Sequence, residues 1–344
     1  MSAPVDIPVI VLFGATASGK TGILLNLFAE SGRAEVVSAD SMQVYRGMDI
    51  GTAKPSFEER ARLVHHLLDI RDPGEQFNVG DFVRLAESAC LNISHSGKLP
   101  VISGGTGFYI KNFIMGLPEA PPSDEGIRGL LRAEWAEKGA RPLMDELRAG
   151  DPVSAERIHI NDTYRLLRAL EVLRLCGRPL SSFPVSGGKA AEASGSSAAA
   201  PEKNRAGGAR PLFRFLVIAL SRPREELYHR INLRCASMFA RGLPDEVASL
   251  FKAGYTPQDP GLKAIGYREF FVEDCDSDSG EKQFRLSCDI NGVQALVAQN
   301  SRRYAKRQYT FFKGIPDVQW IEAGDDEAQT AALIHRKIEN FLRR

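Results

Sequence analysis

The chain has 344 residues, 43% of them hydrophobic, with 44 Lys and Arg against 43 Asp and Glu, a formal net charge of +1. Those proportions are ordinary for a soluble globular protein, with room for one large domain or a main domain and a smaller one. Any nucleic-acid contact must therefore come from a local patch and not from global charge.

Five scattered cysteines, Cys90, Cys176, Cys235, Cys275 and Cys288, form no C-x-x-C pair. This argues against a disulfide framework or a zinc site and for a reducing compartment. The longest apolar runs, Val9–Phe13 and Phe215–Leu220, are too short to span a bilayer. Met1–Asp6 has neither a basic region nor an apolar h-region of a secretory signal. The expectation is a cytoplasmic protein with no membrane contact, monomeric, and with no obligate protein partner evident.

The first element in chain order is a buried strand, Val9–Phe13, followed by Gly14-Ala15-Thr16-Ala17-Ser18-Gly19-Lys20-Thr21 and a helix from Thr21 to about Glu30. Strand, glycine-bearing turn and helix are the context that the phosphate loop G-x-x-x-x-G-K-[ST] requires. Small residues let successive backbone N–H groups surround an anion, and the helix N-terminus adds its positive dipole end. Lys20 brings a full charge to phosphate oxygens, and the Thr21 hydroxyl is placed to hold Mg²⁺. The loop reads phosphates and does not identify the diphosphate or nucleotide that carries them.

Two more strands follow, Glu35–Ser38 and Leu99–Ile102, and between them a helix over Val79–Ser96 places Phe82, Leu85, Ala86, Ala89 and Ile93 on one face. Strands alternating with helices predict βαβ units and a parallel sheet, whose ligands bind beyond the C-terminal strand ends. The three polar strand ends are therefore expected to converge on one cleft. At the second, Asp40 is a magnesium carboxylate, a general base or a solvated strand cap; position alone does not choose among them. At the third, Gly104-Gly105-Thr106-Gly107 is either a tight turn or a loop approached closely by a ligand.

Past Leu117–Pro122 the character changes to amphipathic helix from Ser123 to Cys176, broken near Gly139 and Gly150–Pro152. The domain reading is a phosphate-loop α/β core over residues 1–116, a helical insertion over 117–185, a disordered Gly/Ala/Ser-rich loop over 186–211, and the rest of the core with C-terminal basic helices over 212–344. Phe213–Leu220 reads as another sheet strand, followed by helices. In the helix Arg224–Arg241, Leu227, Ile231 and Met238 face the core. Arg230 and Arg234 share another face, either a solvated stripe or, if it meets the cleft, a diphosphate clamp.

The tail helix Asn300–Lys313 carries Arg302, Arg303, Lys306, Arg307 and Lys313, has no acid, and interleaves Tyr304, Tyr309, Phe311 and Phe312. Cations and aromatics at that spacing favour an RNA backbone and unstacked bases over a merely solvated helix. His65-His66, His159 and His335 show no metal-ligand spacing and read as structural. No N-K-x-D element supports a GTPase, and no apolar run ending in paired acids supports a motor-type ATPase. A small-molecule kinase stays open at this point, as does an RNA-binding module with a degenerate phosphate loop.

Longer blocks then carry a resemblance. Gly14–Thr21, Asp40-Ser41-Met42-Gln43-Val44-Tyr45-Arg46 through Ala53-Lys54-Pro55, His65–Asp69, Gly104–Tyr109, Arg168–Val172, Ala264–Glu269 and Tyr304–Gln308 are similar to the tRNA isopentenyltransferase (dimethylallyltransferase) family. The similarity runs from about residue 8 to 320, apart from the Gly/Ala/Ser loop.

The resemblance implies transfer of a dimethylallyl group from dimethylallyl diphosphate to N6 of the adenosine 3′-adjacent to the anticodon, in tRNAs reading codons that begin with U. A relative that prenylates a free adenine nucleotide is the neighbouring enzymatic alternative. Carried over residue by residue, Asp40 matches the family's general base, and Lys20, Thr21 and Arg234 attend the diphosphate with Mg²⁺. Asp40, Ser41, Met42, Gln43, Thr106, Arg128, Tyr164, Arg165, Arg168, Lys263, Gly266, Tyr267, Arg268, Arg302, Arg303, Lys306 and Arg307 fall where the family touches the tRNA anticodon stem-loop. Ala15 departs from the family's usual proline, and Phe312 stands where a tryptophan is frequent; neither change removes a catalytic group.

Overall fold

A computed structural model describes residues 6–117, 120–183, 213–275 and 282–343. They fall into two compact units, Met1–Ile114 with Glu202–Arg344, and Met115–Pro201. The Gly/Ala/Ser-rich segment expected over 186–211 lies outside the described residues.

The first unit begins with β1 (Ile7–Gly14), α1 (Lys20–Phe28), β2 (Ala34–Ser38), α2 (Phe57–Arg62), β3 (His65–His66), α3 (Val79–His95), β4 (Leu99–Gly104) and α4 (Gly107–Met115). In the second unit lie α5 (Glu125–Lys138), α6 (Ala140–Gly150), α7 (Pro152–Arg157) and α8 (Thr163–Cys176). The first unit resumes with β5 (Phe213–Ser221), α9 (Arg224–Ala240), α10 (Leu243–Lys252), β6 (Phe271–Cys275), β7 (Lys282–Leu286), α11 (Ile290–Phe312), β8 (Gln319–Glu322) and α12 (Glu327–Leu342).

Six strands form a parallel sheet in the order β3-β2-β4-β1-β5-β8. The central strand β1 is apolar along nearly its whole length because both faces are covered, as parallel sheets demand. Phe13 pairs with Gly104 and Ser38 with Ser103, so β1, β2 and β4 finish at nearly one level. This brings their three following loops to a common edge, as expected from the sequence. Gly104 permits the junction: a Cβ there would lie 2.1 Å from the Ala39 carbonyl oxygen. On α3, Phe82, Ala86, Ala89 and Ile93 are buried together with Val83 and Cys90. An Asn78–Asp81 capping box starts that helix.

Several elements differ from the sequence expectation. After β5 the chain is not purely helical: β6 and β7 form an antiparallel hairpin, and β8 extends the sheet beside β5. In α11, Phe312 is fully buried with its ring edge-on to Phe13 at 4.9 Å. Tyr309 lies stacked with Trp320 at 6.2 Å. Phe312 therefore belongs to the core and is closed to an RNA base, while the half-buried Tyr309 packs at the core's edge with one face taken by Trp320.

The second unit packs Leu131, Leu143, Met144, Leu147, Leu166, Leu167 and Leu170 into its own apolar core. At its edge the fully buried Glu171 carboxylate accepts hydrogen bonds from Ser123 Oγ at 2.7 Å and Asp124 N at 2.6 Å. Arg128 and Arg168 pair with the same carboxylate at 3.3 and 2.9 Å. A buried carboxylate with four such donors stays ionised at little cost.

Candidate active site

Beyond the strand ends of the first unit lies a cleft of about 730 Å³. Its wall includes Thr16–Gly22, Asp40–Gln43, Ser103–Gly105, Arg230, Arg234, Lys263, Arg268, Tyr304 and Arg307.

The floor of the cleft is the phosphate loop. Gly19, at φ +96°, ends it in the left-handed region, and no side chain caps the first turn of α1. That helix start therefore offers open N–H groups and carries no acid in its own first turn, an arrangement that receives an anion, although Glu327 of α12 also lies against it. Gly14 has no room for a side chain, since a Cβ would stand 2.7 Å from Ser18 Oγ. Lys20 Nζ folds back to donate to the loop carbonyls of Gly14 at 3.0 Å and Ala15 at 2.9 Å. Burial lowers its pKa from 10.5 to about 8, and nearby Arg234 pushes the same way while Asp40 opposes.

Residues outside the motif hold the loop in this shape. Thr16 N donates to Gln308 Oε1 at 3.0 Å, Arg230 Nε donates to the Ala17 carbonyl at 3.0 Å, and Arg222 Nε donates to the Ser18 carbonyl at 3.1 Å. Glu327, in the first turn of α12, lies against the start of α1, where a Cβ on Gly22 would meet its Oε2 at 1.8 Å. None of these interactions was expected from the sequence, although Gln308 closes one of the matching blocks and Arg230 belonged to the noted arginine pair.

Asp40 faces this loop from the end of β2. Its Oδ1 accepts from Met42 N at 2.9 Å and Gln43 N at 3.3 Å, which orients the carboxylate and leaves the Oδ2 edge toward Gly105. Thr106 Oγ1 accepts from Ser41 N at 3.0 Å and steadies the same turn. Arg234 forms no ion pair among the described residues; burial lowers its pKa, and the Asp40 carboxylate opposes that shift. Burial, with Asp40 second, pushes the Tyr304 phenol up to about 12, so it stays protonated beside Thr106 and Gln308.

Much of the Asp40–Pro55 block is scaffold. Lys54 is buried between Asp49 and Asp69, with Nζ 2.5 Å from a carboxylate oxygen of each. Glu246 accepts from the backbone N–H groups of Asp49, Ile50 and Gly51 at 2.9, 2.8 and 3.1 Å and from the Tyr267 hydroxyl at 2.6 Å.

Tyr267 is therefore fully buried with its ring against Gly51, and its expected contact with RNA gives way to a scaffold role. Gly266 is buried too, at φ +97°. Lys263 and Arg268 are exposed on the cleft wall. On α11, Arg303, Lys306 and Arg307 are exposed, whereas Arg302 donates to Asn232 Oδ1 at 2.5 Å. In the second unit Tyr164 and Arg165 are exposed, and Arg128 and Arg168 are engaged by Glu171.

Among the described residues no group of three His, Cys, Asp or Glu side chains could cage a metal. Thr21 and Asp40 on the cleft wall fit Mg²⁺ only with phosphate oxygens and water completing its shell. No helix of the described residues is long and apolar enough to cross a membrane.

A parallel sheet with a glycine-bent anion loop, a facing carboxylate and half-buried cations defines an α/β protein of the phosphate-loop class. The sequence model described as IPP transferase matches residues 43–315. The tRNA dimethylallyltransferase of Geobacter sulfurreducens is 41% identical over 326 residues, covering 94% of this chain and 95% of that protein. The tRNA dimethylallyltransferase 2 of Geotalea daltonii is 41% identical over 343 residues, covering 100% and 95%. The crystal structure of the tRNA isopentenylpyrophosphate transferase from Bacillus halodurans superposes with a TM-score of 0.63 at 34% identity, covering 98% of this chain and 97% of that one. The chain belongs to the IPP transferase family.

Proposed function

We propose that this protein transfers the dimethylallyl group of dimethylallyl diphosphate to N6 of the adenosine 3′-adjacent to the anticodon of tRNA. The observation that carries the reading is the placement of Asp40 opposite Lys20 and Arg234 in one cleft. An anion loop and a proton acceptor thus face each other across a space that fits a small donor and an extruded base.

In this reading the diphosphate lies on the open N–H groups of α1, with Lys20 turned from the loop carbonyls toward it and Arg234 alongside. The N6 lone pair attacks C1 of the dimethylallyl group as the C1–O bond breaks, and that bond's electron pair leaves with diphosphate. Asp40, oriented through Oδ1, takes the N6 proton at Oδ2. Once Lys20 has turned on binding, it and Arg234 stand at the leaving oxygens where charge develops as the bond breaks. Mg²⁺ held with the diphosphate by Thr21 would supply further charge neutralisation there. Lys263 and Arg268 on the cleft wall and the exposed face of α11 supply a basic surface for the anticodon stem-loop, and Tyr164 and Arg165 are exposed for RNA contact on the second unit by itself.

The test is incubation with labelled dimethylallyl diphosphate and either undermodified tRNA or AMP, followed by mass spectrometry of tRNA fragments. Label on the adenosine beside the anticodon is expected. Label in AMP alone, or a small molecule phosphorylated from ATP, would overturn the reading.

A further inference from the structure

Three consecutive residues of the phosphate loop are held from behind by side chains of three separate segments: Thr16 by Gln308, Ala17 by Arg230 and Ser18 by Arg222. Two of these tethers end on the loop or on surrounding scaffold. Gln308 differs, because its other end reaches the acceptor side of the cleft.

The Gln308 side chain is buried, at 5% exposure. Its Oε1 accepts from Thr16 N at 3.0 Å, and its Nε2 donates to the Gly105 carbonyl at 2.7 Å. The residue after Gly105 is Thr106, whose Oγ1 holds the Ser41 N–H of the Asp40 turn. The third strand end needs glycine beside this amide, since a Cβ on Gly105 would lie 2.7 Å from Nε2. One rigid amide group therefore spans the gap between the loop that receives the leaving group and the turn that carries the proton acceptor.

We propose that Gln308 is a positioning residue that sets the register between donor and acceptor. It does so by bridging the phosphate loop at Thr16 to the Gly105–Thr106 edge that orients Asp40. The proposal rests on the prenyl-transfer reading above for what donor and acceptor are. The bridge itself follows from the two hydrogen bonds. Chemically the position asks for one acceptor and one donor at the end of a three-carbon stem. Glutamate supplies the acceptor but donates only when protonated, asparagine is too short, and methionine fills the space with neither.

The experiment compares wild type, Gln308→Met and Gln308→Glu in the full chain. Because a misplacement of about 1 Å can cost about 100-fold in rate, both variants should lose between about 10- and 100-fold in kcat. KM for dimethylallyl diphosphate and for tRNA should move by less than about fivefold. Relative to wild type at each pH, Gln308→Glu should recover as pH falls, because the protonated acid regains an O–H donor for the Gly105 carbonyl, while Gln308→Met stays flat.

A kcat within threefold of wild type in both variants would overturn the proposal. So would parallel collapse of kcat, both KM values and the thermal midpoint, the mark of a merely structural residue. If wild type itself leaves tRNA unlabelled, the substrate reading has failed. The bridge is then judged by titration with inorganic diphosphate: two- to fivefold weaker binding in Gln308→Met is expected, and equal affinity would overturn it.

Discussion

The position of Lys20 makes the affinity of the phosphate loop depend on pH with a sign and a window that can be worked out. In the free protein its ammonium is buried against Arg234 and satisfied by two loop carbonyls, and its pKa is about 8 in place of 10.5. A bound diphosphate favours the charged form and returns the group to its ordinary range or above. Binding then carries proton uptake whenever the free amine is neutral. With a free pKa of about 8, roughly 10% of the amine is neutral at pH 7 and about 90% at pH 9.

The apparent Kd should therefore rise about tenfold between pH 7 and pH 9, and uptake should approach about one proton per diphosphate at the upper end. An alkyl diphosphate is the suitable ligand, since its last ionisation, near about 6, lies below this window. Isothermal titration calorimetry in buffers of different ionisation enthalpy gives both the Kd and the proton count. The neighbouring groups do not imitate the effect: Tyr304 titrates near about 12, Arg234 is a guanidinium, and burial moves His65 below 6.5, outside the window. A flat Kd from pH 7 to 9, or the same slope in Lys20→Met, would refute the reasoning.

The other predictions concern single residues. Asp40→Asn keeps an acceptor for Met42 N and Gln43 N while removing the proton acceptor. Single-turnover transfer should fall by about 10²–10⁴ with diphosphate affinity intact, and a rate within threefold of wild type would remove Asp40 from that role. Replacing Arg303, Lys306 and Arg307 by Ala should weaken tRNA binding and flatten its log–log salt slope by about 0.7–0.9 for each phosphate left without its cation. Arg302→Ala should do less, its guanidinium already being committed to Asn232. Glu246→Ala strips three backbone N–H groups and the Tyr267 hydroxyl of their acceptor. A loss of about 2–4 kcal/mol in urea unfolding is expected, and an unchanged midpoint would deny the scaffold role of this carboxylate.

The core strands were legible because β1, β2, β4 and β5 are short apolar runs ending in polar or glycine residues, and the phosphate loop has a spacing with a mechanism. The strand β8 was not: of its four residues only Ile321 is buried, so neither alternation nor an apolar run marks it. In α11 the charges drew attention to RNA, yet Ala305, Gln308 and Phe312 recur at helical spacing with Val293 and Val297 on the buried face. That periodicity assigns Phe312 to the core. Asp40, Lys20 and Arg234 could be named from motifs, but the side chains that hold the loop could not. Each joins segments brought together only by the tertiary fold, and arginine or glutamine at such a place carries no local pattern.

The tether from Gln308 to Thr16 spans 292 positions of the chain, and those from Arg222 and Arg230 span 204 and 213. The anion loop is thus completed by a segment made long after it. Contacts of such long range form only after the loop-closure entropy between them has been overcome. A growing chain can pair β1 with β4 well before it can brace the anion loop at Thr16, so the loop reaches its final shape late in folding. A fragment lacking α11 would retain the glycine-rich sequence and lose the tertiary brace at Thr16.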